Sequence, residues 1–64
     1  MWYEKFLPGV EVMTIVEDDG VPGNTVGTIV DRWAEYFEVC IDGELHWFAG
    51  YQLSIYTPPA APLI

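Results

Sequence analysis

Tyr36-Phe37-Glu38-Val39-Cys40-Ile41-Asp42-Gly43-Glu44-Leu45-His46-Trp47-Phe48 decides the fold of this chain. Two runs of strand-forming residues flank an Asp-Gly dipeptide. A two-residue type I′ hairpin turn needs positive φ at both central residues, and Asp-Gly supplies it at low cost. With a two-residue loop the pairing follows by counting outward from the turn. Ile41 opposes Glu44, Cys40 opposes Leu45, Val39 opposes His46, Glu38 opposes Trp47, and Phe37 opposes Phe48. Side chains alternate along a strand, so this register also fixes which residues share a face. One face carries Phe37, Val39, Ile41, His46 and Phe48. The other carries Tyr36, Glu38, Cys40, Leu45 and Trp47. The first is more continuously apolar and is expected to face the core.

Outward from this hairpin the chain reads as further short strands. Val10–Val16 is rich in β-branched residues and follows a Pro8-Gly9 turn signal. Its alternation is imperfect, so its inward face stays open. Residues 17–24 hold acids, glycines, a proline and an asparagine, the chemistry of a loop. Val26–Asp31 reads as the second strand, with Gly27 marking a bulge or a close backbone approach. Arg32–Glu35 is expected to be a connection and Tyr36–Ile41 the third strand. Ala49-Gly50-Tyr51 reads as a single helical turn or a tight corner, and Leu53–Tyr56 as a brief last strand. Residues 1–56 then form one domain, and 57–64, with three prolines, an extended mobile tail.

The chain has 64 residues, of which 52% are hydrophobic and 16% aromatic. That is one domain, held by apolar packing. Cys40 is the only cysteine and His46 the only histidine, which excludes a disulfide framework and a zinc knuckle. Ten acidic residues face two basic ones, Lys5 and Arg32, for a formal charge of −8. Phosphate binding draws on lysine and arginine, so nucleic acid is not an expected partner. An anionic membrane surface is disfavoured for the same reason. A basic protein patch is favoured, because opposite charge steers encounter. The plainer reading of the acidity is that it keeps a hydrophobic mini-domain in solution. No apolar run approaches a membrane span, no signal peptide is visible, and the lone cysteine suits the cytoplasm.

Pro8-Gly9 ahead of Val10–Val16, the run Val26-Gly27-Thr28-Ile29-Val30, and Trp47-Phe48-Ala49-Gly50-Tyr51 before Leu53 follow one another in a known order. The chain resembles the Src-homology-3-like (SH3-like) small barrels, and in particular small bacterial and phage proteins of that fold. The resemblance covers residues 8–56 and marks a fold rather than a family. It implies an all-β, five-stranded SH3-like barrel with a short 3-10 turn before the last strand. The Ala-Leu-Tyr-Asp-Tyr segment and paired tryptophan of the signalling members are absent, so proline-rich ligands are not implied. The related KOW modules bind RNA or ribosomal partners through basic residues, of which this chain has almost none.

Aromatic residues stand out as candidates for recognition. Trp33, Tyr36, Trp47 and Tyr51 belong to a set of three tryptophans and four tyrosines that a 64-residue barrel cannot hide completely. Tryptophan and tyrosine are enriched at binding hot spots. Leu45 shares a face with Tyr36 and Trp47, and Glu38 and Glu44 give the acidic surround. His46 has no nucleophile on its face and reads as a rim histidine. Cys40 lacks the cationic neighbours that would make a thiol reactive. The acids Glu17, Asp18 and Asp19 with Asn24 do not match the spacing of a calcium loop and read as a solvated loop. Pro59-Ala60-Ala61-Pro62 has the spacing of a polyproline ligand, but reads as a disordered end. The expectation is a non-enzymatic protein-binding module without metal or cofactor. Its partner is a protein with a basic or apolar patch, or a second copy of this chain. The alternatives are an acidic inhibitor that imitates nucleic acid, which needs carboxylates in a row along one side, and a KOW-type nucleic-acid binder.

Overall fold

The computed structural model describes residues 2–18 and 20–58. Five antiparallel strands form one sheet: β1 Glu11–Thr14, β2 Val26–Trp33, β3 Tyr36–Ile41, β4 Glu44–Ala49 and β5 Leu53–Ile55, in the order β4-β3-β2-β1-β5. A 3-10 turn, Trp2–Lys5, precedes the sheet, and a second, Gly50–Gln52, leads into β5. No ladder joins β4 to β5, so hydrogen bonding does not close the sheet into a barrel. Among the described residues no helix is long and apolar enough to cross a membrane.

The Asp42-Gly43 turn has φ of 52° and 82° at its central residues, as a type I′ turn requires. The β3–β4 register runs from Ile41 opposite Glu44 to Tyr36 opposite Ala49, as counting from the turn predicts. The faces follow the expected partition: Phe37, Val39, Ile41 and Phe48 are buried, His46 is half-buried, and Tyr36, Leu45 and Trp47 are exposed.

The core draws on every strand. Val12 of β1, Ile29 of β2, Phe37, Val39 and Ile41 of β3, Phe48 of β4 and Leu53 of β5 form one buried cluster with Phe6 and Val21. Side chains from both outer strands meet in it, so the single sheet curls around its own inner face. Gly27 permits the curl: a Cβ there would lie 2.5 Å from Val39 Cγ1 and 2.9 Å from the Cys40 carbonyl oxygen. Gly27 therefore marks a close backbone approach. The bulge is elsewhere, between Ile29 and Asp31.

The ends of several expected elements move. The first strand is shorter than Val10–Val16, because Ile15 turns its N–H to the Gln52 carbonyl. Val12 and Thr14 point inward, which settles the face that the sequence left open. Arg32–Glu35 is not a connection as a whole. Arg32 and Trp33 continue β2, and Trp33 pairs with Tyr36 across a turn of only Ala34 and Glu35. The last strand ends at Ile55 rather than Tyr56. Most of the expected tail, including Pro59-Ala60-Ala61-Pro62, lies outside the described residues, as does Asp19.

Hydrogen bonds pin the long loop after β1. The buried Thr14 hydroxyl donates to the Pro22 carbonyl and accepts the Thr25 N–H, each at 2.9 Å. Asp18 and Val21 exchange backbone hydrogen bonds of 3.0 and 2.8 Å. Gln52 ties this loop to the corner before β5, accepting the Ala49 N–H at Oε1 and donating from Nε2 to Asp18 Oδ2.

Candidate functional site

A bulge in β2 builds the outer face. Ile29 points into the core opposite Val39, and strict alternation would send Asp31 inward as well. The register instead advances two residues on β2 for one on β3, so Asp31 comes to lie opposite Glu38. Re-aiming a side chain in this way is a common role of a bulge. Past the bulge, alternation resumes with Arg32 on the inner side and Trp33 on the outer side.

Directly opposed residues share a face, and three adjacent rows of the outer face follow. Thr28, Cys40 and Leu45 form the first, Asp31, Glu38 and Trp47 the second, and Trp33, Tyr36 and Ala49 the third. Trp33 is 71% exposed, Leu45 58%, and Tyr36 and Trp47 44% each. An open groove of about 510 Å³ lies over the last two rows, lined by Asp31, Arg32, Trp33, Tyr36 and Trp47. Glu38, half-buried, sits in the register between Asp31 and Trp47.

Arg32 contributes to the groove wall, but its guanidinium is engaged elsewhere. Its Nε donates to the Ala34 carbonyl at 2.8 Å, and its Cζ stands 5.2 Å over the Phe37 ring. Asp31 Oδ1 accepts the Arg32 backbone N–H at 2.7 Å, which holds that carboxylate in place.

The structure thus brings together Trp33, Tyr36, Glu38 and Trp47, with Leu45 beside them on the same face. It does not bring Glu44 or Tyr51 to the groove. Glu44 opposes the inward-facing Ile41, so it belongs to the other side of the hairpin. There it lines a second groove of about 340 Å³ with Val21, Thr25, Asp42 and His46, its Oε1 3.7 Å from His46 Nε2. Tyr51 is exposed on the 3-10 turn Gly50–Gln52 and lines neither groove. Asp31 and Arg32 are the lining residues that sequence reasoning missed. Asp31 reads as the end of the second strand, but its facing depends on the bulge, and the turn Ala34-Glu35 contains none of the usual hairpin residues that would announce β2 continuing through Arg32 and Trp33.

Cys40 is a free, half-buried thiol in the row with Thr28 and Leu45. His46 has Phe48 as an aromatic neighbour, with ring centroids 6.3 Å apart. Among the described residues no cluster of three or more histidine, cysteine, aspartate or glutamate side chains has metal-binding geometry. No protein-family model, curated protein or solved structure matches this chain.

Proposed function

We propose that this chain is a non-enzymatic protein-binding module that presents the outer face of β2, β3 and β4 to a larger protein. One observation carries the reading. Trp33, Tyr36, Leu45 and Trp47 are all exposed on a single sheet face, while the opposite face of the same strands is packed into the core. Rings of this size recur at the centres of interfaces, where they bury much area at little entropic cost. A contiguous apolar patch of this kind is a feature of binding surfaces. The strand order β5-β1-β2-β3-β4 and the 3-10 turn before β5 support an SH3-like arrangement for the scaffold.

The nucleic-acid mimic draws no support from the hairpin, whose Glu38 and Glu44 lie on opposite faces. A KOW-type role would rest on Lys5 and Arg32 alone, few cations for phosphate binding.

Site-specific photo-crosslinking tests the reading. A photoreactive amino acid at Leu45 should capture a defined protein in the source cell, and the same group at Glu11 on β1 should not. Trp47→Ala should abolish the adduct while leaving the amide spectrum that of a folded sheet, since truncating an anchor of this kind costs about 2–4 kcal/mol of binding. An adduct unaffected by Trp47→Ala would place recognition on another surface.

A further inference from the structure

Resting on the reading of this face as a protein-binding surface, we propose that the groove receives an arginine side chain of the partner. Its guanidinium would lie against the Asp31 carboxylate that lines the groove, with Glu38 next to it in the register and the rings of Trp47, Trp33 and Tyr36 around it. The argument starts from an unfavourable pair. Asp31 and Glu38 occupy directly opposed positions on adjacent strands, and like charges placed so destabilise a sheet. Among the described residues no cation is set against either of them. The chain has only Lys5 and Arg32 to offer, and Arg32 turns toward the inner side, its Nε donating to the Ala34 carbonyl and its Cζ over the Phe37 ring. The Asp31 carboxylate is favoured in this position, because Oδ1 accepts the Arg32 N–H at 2.7 Å. A cation from outside would relieve the repulsion.

The walls fit the same occupant. Aromatic faces attract cations through the ring quadrupole, more strongly as water is displaced. Trp47 stands at the end of the acidic row and Trp33 and Tyr36 in the row beside it, and all three line the groove. The groove is open to solvent, which favours arginine over lysine. A guanidinium is more weakly hydrated than an ammonium, stacks flat on rings, and offers a fork of donors to paired carboxylates. The overall charge of −8 draws a basic segment toward the chain before contact.

Titration of the full, isotope-labelled chain tests this. The probes are the peptide acetyl-Leu-Arg-Leu-amide and its counterpart with citrulline, which keeps the shape of arginine and loses its charge. The arginine peptide should shift the indole N–H signals of Trp33 and Trp47, and the citrulline peptide should bind at least about fivefold more weakly. Asp31→Asn and Glu38→Gln should each weaken the arginine peptide by a similar factor. The same variants should raise the thermal midpoint by about a degree or more, because they remove the repulsion. A merely structural role for the two acids would lower that midpoint or leave it unmoved. Equal binding of the two peptides at the groove overturns the cation assignment and leaves the protein-binding reading standing. Shifts confined to other acidic segments, or none at all, also overturn it. The crosslinking at Leu45 judges the broader reading separately.

Discussion

Ala34 has φ of 55°, in the left-handed region that costs a residue with a Cβ about 1–2 kcal/mol. It is the first residue of the two-residue turn that joins Trp33 to Tyr36. Asn24 and Asp42 also have positive φ, but their side chains are those that tolerate it best. Ala34→Gly should therefore stabilise the fold by about 1 kcal/mol net of the added chain entropy, raising the thermal midpoint by roughly 4–8 °C. Scanning calorimetry checks it, and an unchanged or lower midpoint would show that the turn carries no strain. At the same scale Thr14 shows how a β-forming residue can conceal a second role. As a sequence letter it reads only as strand-compatible. In the fold its hydroxyl is buried and joins the two ends of a loop segment, Pro22 and Thr25.

The β3–β4 hairpin and the β2–β3 hairpin differ in how much of them the sequence revealed. Asp42-Gly43 announces its turn type, and everything counted from it holds, including the outward placement of Tyr36, Leu45 and Trp47. Ala34-Glu35 makes an equally short turn with residues that carry no turn signal, and the bulge between Ile29 and Asp31 has no glycine to mark it. Half of the candidate site was therefore legible: the part contributed by β3 and β4, with Trp33 found by its residue type alone. Asp31 was not, because its orientation depends on the bulge. The loop after β1 gives a test at this scale. Thr14→Val keeps the shape of the side chain and deprives the Thr25 N–H of its acceptor, while the Pro22 carbonyl retains the Thr25 hydroxyl at 2.7 Å. A loss of about 1–3 kcal/mol is expected. Denaturant titration measures it, and hydrogen exchange should quicken most over residues 20–25. Uniform quickening across the sheet would mean that the loop is pinned by other contacts.

Taken as a whole, the molecule carries its acids with little internal compensation. Ten carboxylates against two cations give a net repulsion that the folded state concentrates. Added salt shortens the reach of that repulsion to about 10 Å at 0.1 M. The unfolding midpoint should accordingly rise between about 0.01 and 0.3 M sodium chloride, where a fold held by ion pairs would weaken. A flat or falling midpoint would show that specific pairs outweigh the general repulsion. The pairing of β1 with β5 has a consequence in time. It sets Val12 beside Ile55, near opposite ends of the described chain, whereas β2, β3 and β4 join through two-residue turns. Closing a long loop costs entropy before its contacts reward it. The three-stranded meander should thus assemble in the rate-limiting step, with β1 and β5 docking afterwards. Gly43→Ala, strained at φ 82°, should slow folding about fivefold for roughly 1 kcal/mol of destabilisation and leave unfolding nearly unchanged. Val12→Ala should do the reverse, leaving the folding limb of the chevron in place and speeding escape from the native state.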